Sequence, residues 1–352
     1  MIDPRPIVQS LQFQSTACAA LGSPFYAGLL ARAAEDAGAG GPTLALMRPW
    51  AGATAGSLFA YAVPLRLLGA LHDLVLSGDA PALAAAYPGG AHAAEPASVW
   101  PVVVEAMNAC HDRLAAFMMH EPQTNEVRRA AVLLPGFLMV ASDTGLGLRC
   151  FEIGASAGLN QLWDRFGYRF GAKGTVGDLT STIVVDTEWR GGAPPLGPMP
   201  RVVERAACDT MPVDLRDQAS RRRLKSYVWP DQFDRLQRLD GAIALARDMK
   251  VVVEQEDAIS WTPQRVRLRA GTATVLFHSV MWSYLPMKGK AVLSEIIHEL
   301  GESAHPEMPF AWLRMESEDA AMYELRLTVW PGGEDRRLAI VHPHGAWIDW
   351  HA

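Results

Sequence analysis

Leu148-Arg149-Cys150-Phe151-Glu152-Ile153 is a short apolar run, and it ends in a turn of small residues, Gly154-Ala155-Ser156-Ala157-Gly158. A run of that length bounded by glycine reads as a strand. The small residues let the backbone reverse tightly into a helix through Leu159, Leu162 and Trp163. Strand, glycine-rich turn and helix open a βαβ unit, which commits the chain behind it to parallel pairing.

The alternation continues. Arg201–Cys208, Lys250–Glu254, Thr274–His278 and Phe310–Met315 read as strands, with helices over Arg216–Trp229, Asp231–Met249 and Gly289–Gly301. Two closing strands, Tyr323–Val329 and Arg337–His342, flank the hairpin signal Trp330-Pro331-Gly332-Gly333. The pattern predicts an α/β fold with a mostly parallel sheet and a C-terminal antiparallel hairpin at its edge. Residues 167–200 break the pattern with a β-ribbon (Ile183–Trp189) and a Gly/Pro-rich loop (Gly191–Pro200), read as an insertion over the ligand crevice.

The residues before 145 differ in character. Ala and Leu dominate, β-branched residues are sparse, and apolar residues recur at helical spacing in Ile7–Ala20, Ser57–Leu76 and Val102–Met119. Thr124-Asn125 reads as the N-cap of a helix running towards Val140, or as a cover for the site. The expected division is therefore a helical N-terminal domain over residues 1–144 and an α/β domain over 145–352. At 352 residues the chain can bury a core without disulfide or metal staples. Its net charge of −6 argues against electrostatic nucleic-acid binding. The four cysteines form no CxxC pair and read as reduced thiols, and no ligand spacing suggests a metal. The absence of a long apolar run and of a leader-like start leads to the expectation of a cytoplasmic protein without a membrane span.

The glycine-rich turn carries two chemistries and one structural alternative. As a cofactor loop, Gly154 permits the turn and Gly158 lets the following element pack on the strand. The dinucleotide pattern is unmet, because Ser156 and Leu159 stand where it needs glycine, so NAD is disfavoured. As a nucleophile elbow, Gly154-Ala155-Ser156-Ala157-Gly158 matches G-x-S-x-G, with Ser156 attacking and Asp257 followed by His278, His342 or His344 completing a triad. The structural alternative is a packing turn that binds nothing.

The segment Glu152–Gly158 resembles the opening motif of class I S-adenosylmethionine-dependent methyltransferases, with Ser156 replacing one glycine. That resemblance covers about Leu148 to Trp350. It implies a Rossmann-like sheet and S-adenosylmethionine as cofactor, held by Glu152, Gly154, Ser156, Gly158 and Asn160. It also implies Asp209, after the second strand, near the ribose, and Asp257, in Glu256-Asp257-Ala258, near the adenine. Over its whole length the chain also resembles an uncharacterised bacterial group, the domain of unknown function 2332 family. The segments that carry this resemblance are Glu152–Asn160, Ser226–Gln232, His278–Trp282 and His342–Gly345.

His278 falls at a strand end, where ligands bind in open α/β sheets, and could act as a general base; Tyr284 would face the acceptor. Trp282 and Tyr284 could equally pack on adenine or in the core. Tyr227–Gln232 reads as a helix–helix corner in which Asp231 caps the second helix, and Arg221–Arg223 as a solvated face. The function expected is methyl transfer to a small-molecule acceptor, with no nucleic-acid or membrane partner. The alternatives are a serine hydrolase or a ligand-binding protein of the same fold.

Overall fold

The computed structural model describes residues 3–317 and 322–352. In chain order the first helices are α1 (Arg5–Ala20), α2 (Pro24–Gly38), α3 (Pro42–Leu46), α4 (Ala55–Ala60), α5 (Val63–Ser77), α6 (Pro81–Ala86), α7 (Pro96–Ala109) and α8 (His111–Met118). Next, α9 (Arg129–Thr144) leads into β1 (Gly147–Ile153), and β2 (Gly167–Arg169), β3 (Thr175–Gly177), β4 (Val184–Asp186), β5 (Glu188–Gly191) and β6 (Val202–Asp209) follow. The chain continues through α10 (Gln218–Ser226), α11 (Phe233–Asp248), β7 (Glu254–Gln255), α12 (Ala258–Arg265), β8 (Thr272–Ser279), α13 (Met287–Glu302) and β9 (Phe310–Glu316). It closes with β10 (Tyr323–Trp330), β11 (Glu334–Val341) and β12 (Trp347–Trp350).

Two units pack separately. The first joins Met1–Thr124 to Asp217–Gln237, and the second joins Asn125–Arg216 to Arg238–Ala352. The boundary expected at residue 144 therefore lies at 124, and α10 returns to the helical unit. The reason for the first shift is α9, which is apolar nearly all round and buried from Ala130 to Leu138. It packs against β8, β9 and β10, so it belongs with the sheet.

The reason for the second shift is what α10 and the corner after it supply to the helical unit. Arg222 Nε donates to Asp73 Oδ1 at 2.7 Å, and Arg113 donates to Asp73 Oδ2 at 2.8 Å. Arg222 thus corrects the reading of Arg221–Arg223 as a solvated face. His72 Nδ1 donates to the Ser226 carbonyl at 3.1 Å, and burial depresses its pKa to about 4. Trp229 joins the core formed by Tyr26, Leu67 and Leu71. Asp231 serves the first turn of α2: its carboxylate accepts from Ser23 Oγ and from the Phe25 amide. Asp217 is the residue that caps α10.

The second unit is built on a nine-stranded sheet among the described residues, in the order β5-β12-β11-β10-β9-β8-β1-β6-β7. β7, β6, β1, β8 and β9 pair parallel, and β9 to β12 form an antiparallel meander. The hairpin at Trp330–Gly333 falls where the sequence put it, whereas β12 was not expected. The expected ribbon divides: β4 joins β2 and β3 in a small sheet, and β5 pairs parallel with β12 at the edge of the large one. The strand expected over Lys250–Glu254 shrinks to Glu254–Gln255. The helix expected after the glycine-rich turn is a 3-10 stretch, Leu159–Arg165, kinked at Leu162. Its Trp163 ring stacks on Phe137 of α9 with centroids 4.0 Å apart. A stacked pair of this kind adds roughly 1 kcal/mol beyond burial, and here it substitutes for helix packing in holding the turn against the sheet. No helix among the described residues is long and apolar enough to cross a membrane.

Candidate functional site

In an open parallel sheet the carboxyl ends of the strands form the ligand crevice where the strand order switches direction, here between β1 and β8. Register brings the acidic residues to that edge. Glu152 of β1 pairs with Ala207 of β6 and Phe277 of β8, Cys208 pairs with Glu254, and His278 pairs with Arg314 of β9.

The turn after β1 takes three left-handed residues, Gly154 (φ +66°), Ser156 (φ +54°) and Gly158 (φ +71°). Glycine accommodates this conformation freely, whereas a serine there carries strain of about 1 kcal/mol. Ser156 is held in it from both sides: its amide donates to Asp209 Oδ2 at 2.8 Å, and its carbonyl accepts from the Val213 amide at 3.1 Å. Asp209 Oδ1 accepts from the Met211 amide. The glycines also meet their neighbours closely. A methyl at Gly154 would lie 2.6 Å from Met281 Cβ, and one at Gly158 would lie 2.8 Å from Val253.

Glu152 is buried, and its Oε2 has no hydrogen-bond partner. Burial, reinforced by the neighbouring Asp209 carboxylate, pushes its pKa well above the ordinary carboxylate range, with Arg129 pulling the other way. Ser156 Oγ and Asn160 Oδ1 are likewise buried without partners. Asn160 Nδ2 donates to the Glu126 carbonyl, and Asn125 Oδ1 accepts from the Leu159 amide at 2.9 Å. Asn125 is therefore not the N-cap of α9; it ties the segment before α9 onto the turn. Asp257 does cap a helix: Oδ1 accepts from the Ile259 amide at the start of α12, and the residue is exposed. Its charge and that of Asp209 both act on the Cys208 thiol, so the two acids share the β6–β7 end of the crevice.

His278 is fully buried. Nδ1 donates to Glu316 Oε1 at 2.7 Å, and Nε2 accepts the indole N–H of Trp312 at 3.0 Å. The ring has no free nitrogen, and the general-base role read for it gives way to a structural one. Glu316 completes the arrangement by accepting the amides of Met281 and Trp282, which fixes the chain as it leaves β8 through left-handed Val280. The nucleophile reading of Ser156 meets the same obstacle, since Oγ makes no hydrogen bond to any base. Tyr284, by contrast, is 82% exposed and near enough to Tyr323 to act on it electrostatically.

The structure thus brings Glu152, Ser156, Asn160 and Asp209 around one turn, sets Asp257 at its flank, buries His278 and exposes Tyr284. Sequence reasoning missed Arg129 and Glu316. Arg129 Nε donates to the Pro343 carbonyl at 3.1 Å and its charge reaches Glu152. Glu316 stands one residue beyond an expected strand, and an acid at a strand end was the available signal.

Together these features define an α/β protein with a mostly parallel sheet and a polar site at the carboxyl edge of its first strand. The chain belongs to a family of uncharacterised proteins conserved in bacteria (DUF2332), whose profile matches residues 8–350. No curated protein and no solved structure matches it.

Proposed function

We propose that the crevice at β1 and β8 binds S-adenosylmethionine and that the protein transfers its methyl group to a small molecule. The observation that carries the reading is the set of buried side-chain oxygens without partners, Glu152 Oε2, Ser156 Oγ and Asn160 Oδ1, gathered around one left-handed turn. Buried polar atoms in proteins are nearly always paired, so three beside a crevice favour a polar occupant. The strand order adds support, because β7-β6-β1-β8-β9 is third-second-first-fourth-fifth among the parallel strands, a nucleotide-binding arrangement.

The residues present fit such a cofactor. Glu152 and Asp209 would meet its cationic and hydroxyl groups; each Asp209 oxygen accepts one backbone amide and retains further acceptor capacity. When bound, S-adenosylmethionine supplies an electrophilic methyl carbon. The chain's own part is alignment and exclusion of water. Glu316 and His278 hold the Met281–Trp282 backbone, Met281 covers Gly154, and close approach to that glycine requires Met281 to move. Tyr284 is the side chain available to an acceptor.

Thermal-shift and calorimetric titration with S-adenosylhomocysteine, with NAD as control, test the reading. Saturable binding of the homocysteine compound alone, lost in Asp209→Asn and Glu152→Ala, supports it. The absence of any shift at millimolar ligand overturns it.

A further inference from the structure

β7 is short because the chain before it turns away from β6. Lys250 ends α11 in a left-handed conformation (φ +53°), and its own amide and that of Val251 cap the helix through the carbonyls of Arg247 and Ala246. Glycine ordinarily takes such a C-terminal position, because side chains disfavour it; here a lysine is kept. The departure of residues 251–253 leaves a cavity of about 430 Å³ beside Arg205 and Ala206 of β6. That volume lies within the range of small-molecule sites, roughly 300–1,000 Å³.

The polar lining of the cavity is one-sided. Arg205, Lys250 and Arg265 bring three cations, and Gln161 brings an amide whose Nε2 is buried with no partner. Glu254 is the one acid of the lining, and both its oxygens are used: Oε1 by Arg265 at 2.8 Å and Oε2 by the Trp261 indole at 3.1 Å. Arg205 pairs with Asp164 outside the lining, yet a guanidinium carries five N–H donors, so both arginines retain some. The lining therefore carries net positive charge, three cations against one ion-paired carboxylate, and a buried amide donor without a partner. Leu162 and Val251 supply an apolar wall.

We propose that this cavity binds a small molecule bearing an oxyanion, a carboxylate or a phosphate ester, with its charged end at Gln161 and Lys250. The cavity abuts the glycine-rich turn, with Val251 and Gln161 against Gly158, but its lining includes none of the residues assigned to the β1–β8 crevice, and that lining alone carries the proposal.

Calorimetric titration of the whole chain with inorganic phosphate and, separately, with hexanoate, against chloride at matched ionic strength, tests the proposal. Saturable binding of either is expected; tighter phosphate assigns a phosphate ester, and tighter hexanoate a carboxylate with an apolar body. Lys250→Gly suits the left-handed backbone and keeps the fold. It and the near-isosteric Gln161→Glu should each weaken binding by about tenfold or more, the loss of one charge-assisted hydrogen bond. Asp209→Asn, in the other site, should leave it unchanged. No saturable binding of either probe, or binding indifferent to both cavity variants, would overturn the assignment.

Discussion

His278 and Glu316 form a buried pair across β8 and β9, Nδ1 to Oε1 at 2.7 Å, and the carboxylate also anchors two amides of the segment leaving β8. Glu316→Ala strands three N–H donors and should cost about 3 kcal/mol in urea denaturation, the range for charge-assisted bonds lost from a buried site. His278→Ala should destabilise as well. The double variant should cost less than the sum, because the residues share one network. Strictly additive losses would show that the two act independently.

Ser156 holds a glycine-like backbone angle while its buried hydroxyl makes no hydrogen bond. Replacing it with glycine removes both penalties at the expense of chain entropy in the unfolded state. Ser156→Gly should therefore leave stability unchanged or raise it by up to about 1 kcal/mol, whereas β-branched Ser156→Val should lower it by about 2 kcal/mol. Thermal unfolding of the two variants gives the answer, and a marked loss in the glycine variant would assign the hydroxyl a role in the fold.

Glu152 keeps its proton in the folded protein well above the ordinary glutamate value of 4.5, chiefly through burial. The unfolded chain releases that proton near the ordinary value, so this group makes stability fall as pH rises beyond it, at about 1.4 kcal/mol per unit, until the folded pKa is reached. Glu152→Gln mimics the protonated side chain. Unfolding free energies of variant and wild type should coincide near the acid end and diverge in the variant's favour on going alkaline. Parallel curves would contradict a retained proton.

His72 has the opposite slope. Burial lowers its pKa from 6.5 to about 4. The folded helical unit keeps the ring neutral where the unfolded chain would protonate it, so stability is full above the ordinary value and declines as pH falls towards the lower one. The loss is about 1.4 kcal/mol per unit and about 3 kcal/mol in all. His72→Gln should flatten this acid limb, monitored by tryptophan fluorescence, since Trp229 shares the same core.

Much of the second unit was legible in its sequence because strand-length apolar runs and glycine punctuation are local signals; β1, β6, β8, β9 and the β10–β11 hairpin fall close to their expected places. What local signals lack is partner information. Leu159–Arg165 reads as helix, yet stacking of Trp163 on Phe137, distant in sequence, holds it as 3-10. Val251–Val253 has ideal strand composition, yet left-handed Lys250 directs it off the sheet. At the site, the acidic positions Glu152, Asp209 and Asp257 reach the carboxyl edge, because strand ends are readable. The state of His278 was not readable: its fate depends on Trp312 and Glu316, both supplied by a strand more than thirty residues later.

The helical unit is encoded in two pieces, and this gives its biosynthesis an order. Asp73, His72 and Ser23 find their partners Arg222, Ser226 and Asp231 only after β1 and β6 have been made. At about 5–20 residues per second, the nascent helices lack these partners for on the order of ten seconds while their last piece is still being translated. The N-terminal half must therefore survive on the ribosome as an unfinished core, and a fragment ending at Thr124 would carry that unfinished surface permanently.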